Sequence, residues 1–230
     1  MISAVIFDFN GVLVDDESVH FDLFREVLLQ EGVDLTFEAY HERYLGYDDA
    51  GCFEHVLADH GQAYDDARIA DMIARKGRRY FEVAEQGLKY FPDAAATVRR
   101  MADQYPVAIN SGALRGEIVF TLEKLGLRDR ISAIVAAEDA THCKPHPAGY
   151  VQALEALRQV HPALDLQAAS CLVIEDSTAG LQSAKGAGMK AVGITQTYPA
   201  ADLLAAGADA TIDDLATLTP AWIQATFPAR

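Results

Sequence analysis

A chain of 230 residues with 34 acidic residues against 19 Lys and Arg, a formal charge of −15, is a poor partner for nucleic acid or an anionic membrane. Half of it is hydrophobic (50%), enough for an α/β core with a modest second domain. No apolar stretch approaches the roughly 18 residues of a membrane span. Cys52, Cys143 and Cys171 are odd in number and widely spaced, so they form neither a disulfide framework nor a zinc cluster. An acidic cluster follows Leu13 where a leader would end, and the expectation is a cytoplasmic protein, a monomer by default.

The chain opens with MISAVIFDFNGVL. The β-branched run Ala4 to Phe7 reads as a buried strand, and Asp8, Phe9, Asn10 and Gly11 read as the turn that ends it. Residues 15–31 then repeat apolar side chains at Val19, Leu23, Val27 and Leu28, a helix stopped by Gly32. Helical patterns follow at 36–45, 50–60 and 65–85. No strand pattern occurs from Asp15 to Gln86, so residues 15–87 are expected to be an inserted all-helical domain. From residue 88 strands and helices alternate. Helix 92–104 precedes strand 106–110, helix 113–125 precedes strand 131–136, and helix 146–159 precedes strand 170–174. Helix 178–187 leads to strand 190–194, with a short strand near 209–212. Such alternation predicts parallel βαβ units, giving an α/β core of residues 1–14 and 88–230.

Polar residues gather where these strands end, which is where open parallel sheets place ligands. Asp8 follows the first strand and is a candidate nucleophile or metal ligand. Ser111 and Gly112 follow PVAIN just before a helix, where a hydroxyl and free N–H groups suit an anion. Lys144 stands in CKPHP on a connection between βα units. SCLVIEDSTAG ends its strand in adjacent carboxylates, Glu175 and Asp176, which repel unless a cation or hydrogen bonds offset them. Oxygen donors beside a phosphate favour Mg²⁺.

In this order AVIFDFNGVL, INSG, CKPHP and VIEDSTAG resemble the four signature motifs of the haloacid dehalogenase superfamily. VIEDSTAG and VDDESVHFDLF are similar to its β-phosphoglucomutase-like and phosphoglycolate phosphatase-like branch. The resemblance implies a Rossmann-like parallel-sheet core with an inserted helical C1 cap, and a Mg²⁺-dependent phosphatase acting on a small phosphorylated metabolite. By it, Asp8 is the nucleophile that becomes an aspartyl phosphate, and Ser111, Gly112, Lys144 and Gly11 surround the phosphoryl group. Asp8, Asp176, Glu175 and the main-chain carbonyl of Asn10 form the Mg²⁺ site. The cap would close over the site and choose the substrate.

At Asn10 the sequence departs from the resemblance. Phosphatases of the family carry an acid/base Asp there, and a carboxamide does not titrate near neutrality. The residues leave several readings open. One is a slow or selective phosphatase, with His20 at the cap hinge as a partial substitute. Another is a phosphonate hydrolase or dehalogenase type of reaction, in which Lys76 would supply an amine. A third is a non-catalytic phosphate-binding protein; Asn10 as a trapping substitution or a deamidation site completes the set. Among the cap's basic residues, Arg43, Arg75, Lys76, Arg78 and Arg79 could reach a substrate or be solvated. The acid pair Asp48 and Asp49 argues against a highly anionic one.

Overall fold

The computed structural model describes residues 1–139 and 142–228; Thr141, beside the CKPHP motif, lies outside them. By contacts the chain divides into two compact units, one made of Met1–Val14 with Tyr90–Arg230 and the other of Asp15–Lys89. The elements in chain order are β1 (Ala4–Phe7), α1 (Glu17–Gln30), α2 (Phe37–Ala39), which continues as a π-helical turn over Tyr40–Tyr44, α3 (Asp49–Asp59), α4 (Asp66–Gln86) and α5 (Ala94–Ala102). They continue with β2 (Val107–Asn110), α6 (Arg115–Lys124), β3 (Ala133–Val135), α7 (Ala148–Val160), β4 (Cys171–Glu175), α8 (Thr178–Gly186), β5 (Lys190–Ile194), α9 (Ala200–Ala205), β6 (Ala210–Ile212) and α10 (Pro220–Thr226).

Among the described residues all six strands lie in the first unit as one parallel sheet of order β3-β2-β1-β4-β5-β6. Both faces of such a sheet are covered by helices, which is why its strands read as apolar runs rather than as alternating patterns. Every residue of β1 and β4 is buried. The side chains of Ile6, Val173, Tyr150, Leu157 and Leu181 form part of the core against α7 and α8. The order reverses at β1, so the crevice beyond the carboxyl ends of β1 and β4 is the place for a ligand.

Register then decides which side chains meet there. Phe7 pairs with Ile174, and the Asp8 N–H donates to the Ile174 carbonyl at 2.9 Å. Asp8 therefore leaves the sheet level with Glu175. On the other side of β1, Phe7 pairs with Ile109, which brings Asn110 and Ser111 to the same end.

In the described residues of the second unit there are helices and no strands. Phe24, Leu28, Phe53, Val56, Leu57 and Met72 form its own apolar core, drawn from α1, α3 and α4. Asp48 caps α3 by accepting from the Gly51 N–H at 2.8 Å, and Asp65 caps α4 through the Arg68 N–H at 2.8 Å. Among the described residues no helix is long and apolar enough to cross a membrane.

The helix expected over 113–125 starts at Arg115 with Leu114 as its cap, because the Ser111 hydroxyl accepts from the Ala113 N–H at 3.0 Å and holds a turn there. In the acid pair Asp48 caps α3 and Asp49 is paired with Lys76.

Candidate active site

Beyond the carboxyl ends of β1 and β4, oxygens of Asp8, Glu175 and Asp176 lie within 4.8 Å of one another, and all three residues are buried. Lys144, on the connection from β3 to α7, places its Nζ 2.8 Å from Asp8 Oδ1 and 2.5 Å from Glu175 Oε1. One ammonium thus faces three carboxylates, and the imbalance governs their titration. Burial, then the Glu175 charge, pushes Asp8 up to about 7 although Lys144 pulls it down. Burial and the charges of Glu175 and Asp8 hold Asp176 well above the usual carboxylate range. For the Lys144 ammonium, burial works downward, but the Asp8 and Glu175 charges outweigh it and the group is held above its ordinary value. A divalent cation among these oxygens would remove the imbalance, and the donor set of buried carboxylates suits Mg²⁺.

The backbone makes room for this cluster. Gly11 has φ of 72°, a left-handed conformation that favours glycine, and a Cβ there would strike the Asp176 carboxylate. Gly180, in the first turn of α8, faces Glu175 so closely that a Cβ would overlap its carboxylate. Asn10 lies in the turn after β1, and its Oδ1 accepts from the Ser111 hydroxyl at 3.2 Å. Gly112 is exposed beside Ser111.

Three participants escape a sequence reading. The Tyr150 hydroxyl, fully buried on α7, donates to Glu175 Oε1 at 2.7 Å. Burial, then the Glu175 charge, raises this phenol well above its ordinary value. The Ser177 N–H and hydroxyl both donate to Glu175 Oε2, at 3.2 and 3.0 Å. The Thr197 hydroxyl, after β5, donates to Asp176 Oδ2. Tyr150 reads in sequence as one more core aromatic, and Thr197 as loop. Only Ser177, adjacent to the acid pair, stands near a recognisable signal.

His20 and Lys76 belong to the second unit, where they touch each other. Lys76 is fully buried, with Nζ 2.6 Å from Asp49 Oδ1, 2.8 Å from His20 Nδ1 and 4.5 Å from the centre of the Phe24 ring. His20 Nε2 is 3.3 Å from Asp16 Oδ2, which also accepts from the Tyr80 hydroxyl at 2.7 Å. A histidine nitrogen facing an ammonium must accept, so this contact puts the His20 proton on Nε2, toward Asp16. Neither side chain is a solvated helix residue. The neighbouring arginines are occupied within the same unit: Arg43 with Asp59, Arg75 with Glu31 and Asp71, and Arg79 with Glu26 and Glu82.

The model of the haloacid dehalogenase-like hydrolase family matches residues 5–194. Protein CbbY of Rhodobacter capsulatus is 32% identical over 93% of this chain and 94% of its own. The phosphoglycolate phosphatase of Yersinia pseudotuberculosis is 26% identical over 96% of this chain and 93% of its own. Among solved structures, an Asp-to-Asn variant of CbbY from Rhodobacter sphaeroides in complex with xylulose-(1,5)bisphosphate superposes with a TM-score of 0.81. It is 25% identical, over 95% of this chain and 96% of that one. The chain belongs to the haloacid dehalogenase-like hydrolases, among relatives named CbbY, phosphoglycolate phosphatase and beta-phosphoglucomutase, and is an enzyme of the phosphoric monoester hydrolase class.

Proposed function

We propose that the chain is a Mg²⁺-dependent phosphatase that transfers the phosphoryl group of a small phosphorylated metabolite to Asp8 and releases it slowly, because Asn10 stands where an acid/base would act. The observation that carries this reading is the convergence on Asp8 of one partly buried cation and one buried acid: Lys144 at 2.8 Å, and Asp176 close enough for both carboxylates to share an ion. An Asp8 oxygen attacks phosphorus, an O–P bond forms, and the alcohol oxygen leaves with its electron pair. Lys144 and Ser111 bind the transferring oxygens, whose charge would otherwise repel the nucleophile. Mg²⁺, held by Asp8, Asp176 and the Asn10 carbonyl with Glu175 beside it, would supply further charge neutralisation. Water then attacks the acyl phosphate, returning Asp8 and inorganic phosphate.

Both proton transfers lack a titratable group at position 10. The Asn10 carboxamide can hold a leaving oxygen or a water by hydrogen bonds but cannot exchange a proton with it. From a donor whose leaving group needs no proton, such as acetyl phosphate, phospho-Asp8 forms faster than it hydrolyses and accumulates. A sugar phosphate or sugar bisphosphate is the substrate class we favour, since a CbbY variant with an Asp-to-Asn change is described with xylulose-(1,5)bisphosphate bound. A Schiff-base reaction through Lys76 is disfavoured by its ion pair with buried Asp49, which occupies the amine. Residues 15–89 would serve as the cap. Three widely spaced cysteines, Cys52, Cys143 and Cys171, fit a reducing, cytoplasmic setting.

Asn10→Asp tests the reading. With Mg²⁺ and a panel of sugar phosphates, kcat should rise roughly 10²–10⁴-fold, the usual worth of a positioned acid or base. Incubation of the unaltered chain with acetyl phosphate should add one phosphoryl mass on Asp8, and Asn10→Asp should shorten the life of that adduct. An Asp8 that takes no label, with a turnover indifferent to position 10, would overturn the reading.

A further inference from the structure

Glu175 sits in the acidic cluster, yet its carboxylate is already full. A carboxylate offers about four lone-pair positions. Oε1 accepts from Lys144 Nζ at 2.5 Å and from the Tyr150 hydroxyl at 2.7 Å; Oε2 accepts from the Ser177 N–H at 3.2 Å and the Ser177 hydroxyl at 3.0 Å. The side chain has no exposed surface, and Gly180 closes against it with no room for a Cβ. Asp8 and Asp176 are held differently. Asp8 uses Oδ1 toward Lys144, and the Asp176 side chain accepts from Thr197 through Oδ2.

Lys144 needs such an anchor. A lysine is a point charge on a four-carbon stem, with no planar fork to fix its direction. It stands on a loop, and its Nζ also lies 5.6 Å from the centre of the Tyr150 ring. The phenol therefore meets both members of the ion pair, its hydroxyl on Glu175 and its ring face toward Lys144.

We propose that Tyr150 is a positioning residue: together with Ser177 it locks Glu175 as the anchor that aims Lys144 at Asp8, so that Glu175 serves the lysine while Asp8 and Asp176 are the side chains left to hold the divalent ion. The proposal rests on the phosphatase reading for the use of the aimed lysine. The placement of Lys144 can be measured without any turnover.

The test uses Tyr150→Phe, which removes one hydroxyl and no charge. Reactivity of Lys144 toward acetic anhydride, read by peptide mass, should increase roughly tenfold, the worth of a hydrogen bond to a charged group. Mn²⁺ affinity, read by electron paramagnetic resonance of the free ion, should stay within about twofold, because losing an outer partner of a true ligand typically costs 10–100-fold. Ser177→Ala, which opens the other side of the same carboxylate, should reproduce the pattern and stands in if Tyr150→Phe does not fold. Unchanged Lys144 reactivity, or a large loss of Mn²⁺ binding in these variants, would overturn the assignment. Absence of Mn²⁺ binding in the unaltered chain would strike the phosphatase reading, while the Lys144 comparison would still decide the role of Tyr150.

Discussion

Lys76 shows how much a single side chain is worth when it is buried. It has no exposed surface, and its ammonium is compensated by Asp49, whose Oδ2 is buried without a hydrogen-bond partner. Removing the lysine alone leaves that carboxylate uncompensated. Lys76→Met should therefore cost about 3–5 kcal/mol in urea unfolding, the usual penalty of breaking a buried pair. Lys76→Met combined with Asp49→Leu should recover most of the loss, and a double variant no better than the single would show that the pair is not the source. At this scale the sequence was least informative. Lys76 and Asp49 are 27 residues apart and His20 is 56 from Lys76, so the chain itself gives no sign that they meet. Asp8, Lys144 and Asp176 were legible because each ends or follows a strand, a position recognisable from the pattern around it.

Between strand and helix, the acid-rich segment after β4 sets the geometry. Ser177 caps α8 by accepting from the Gly180 N–H at 3.0 Å while its own hydroxyl holds Glu175. Glycine costs a helix about 1 kcal/mol against alanine, so Gly180→Ala would normally stabilise α8. Here the added Cβ overlaps the Glu175 carboxylate, and the sign reverses. Gly180→Ala is expected to lower the melting temperature and to displace Lys144, seen as weaker binding of inorganic phosphate by calorimetry. A more stable variant with unchanged phosphate binding would contradict the packing described. The elements themselves were largely readable, since apolar runs and helical spacing are local properties. The start of α6 was not, because Ser111 is a residue type that caps helices and caps a turn here instead.

For the whole molecule, the sheet concentrates negative charge at one end, and stability should depend on how that charge is neutralised. An Asp8 pushed up to about 7 binds a proton more tightly in the folded than in the unfolded chain, whose carboxyl titrates near 3.8. Between those values the folded state holds more protons, so stability falls as pH rises. Stripped of divalent ions, the protein should lose melting temperature from about pH 5 to pH 8, and added Mg²⁺ should raise it more at pH 8 than at pH 5. A flat profile in the metal-free protein, or equal Mg²⁺ stabilisation at both pH values, would count against a shared ion at Asp8 and Asp176. The sequence by itself determined the alternation of strands and helices, the all-helical stretch from Asp15 to Gln86 and the acids Asp8, Glu175 and Asp176 at the strand ends, because periodicity and turn residues act over a few neighbours. Only the tertiary structure decided that Tyr150 and Ser177 fill the Glu175 carboxylate, that Thr197 meets Asp176 and that Asp49 compensates Lys76. Strand order and register bring Tyr150 to Glu175 and Thr197 to Asp176, and the packing of α3 against α4 brings Asp49 to Lys76; each joins residues far apart in the chain.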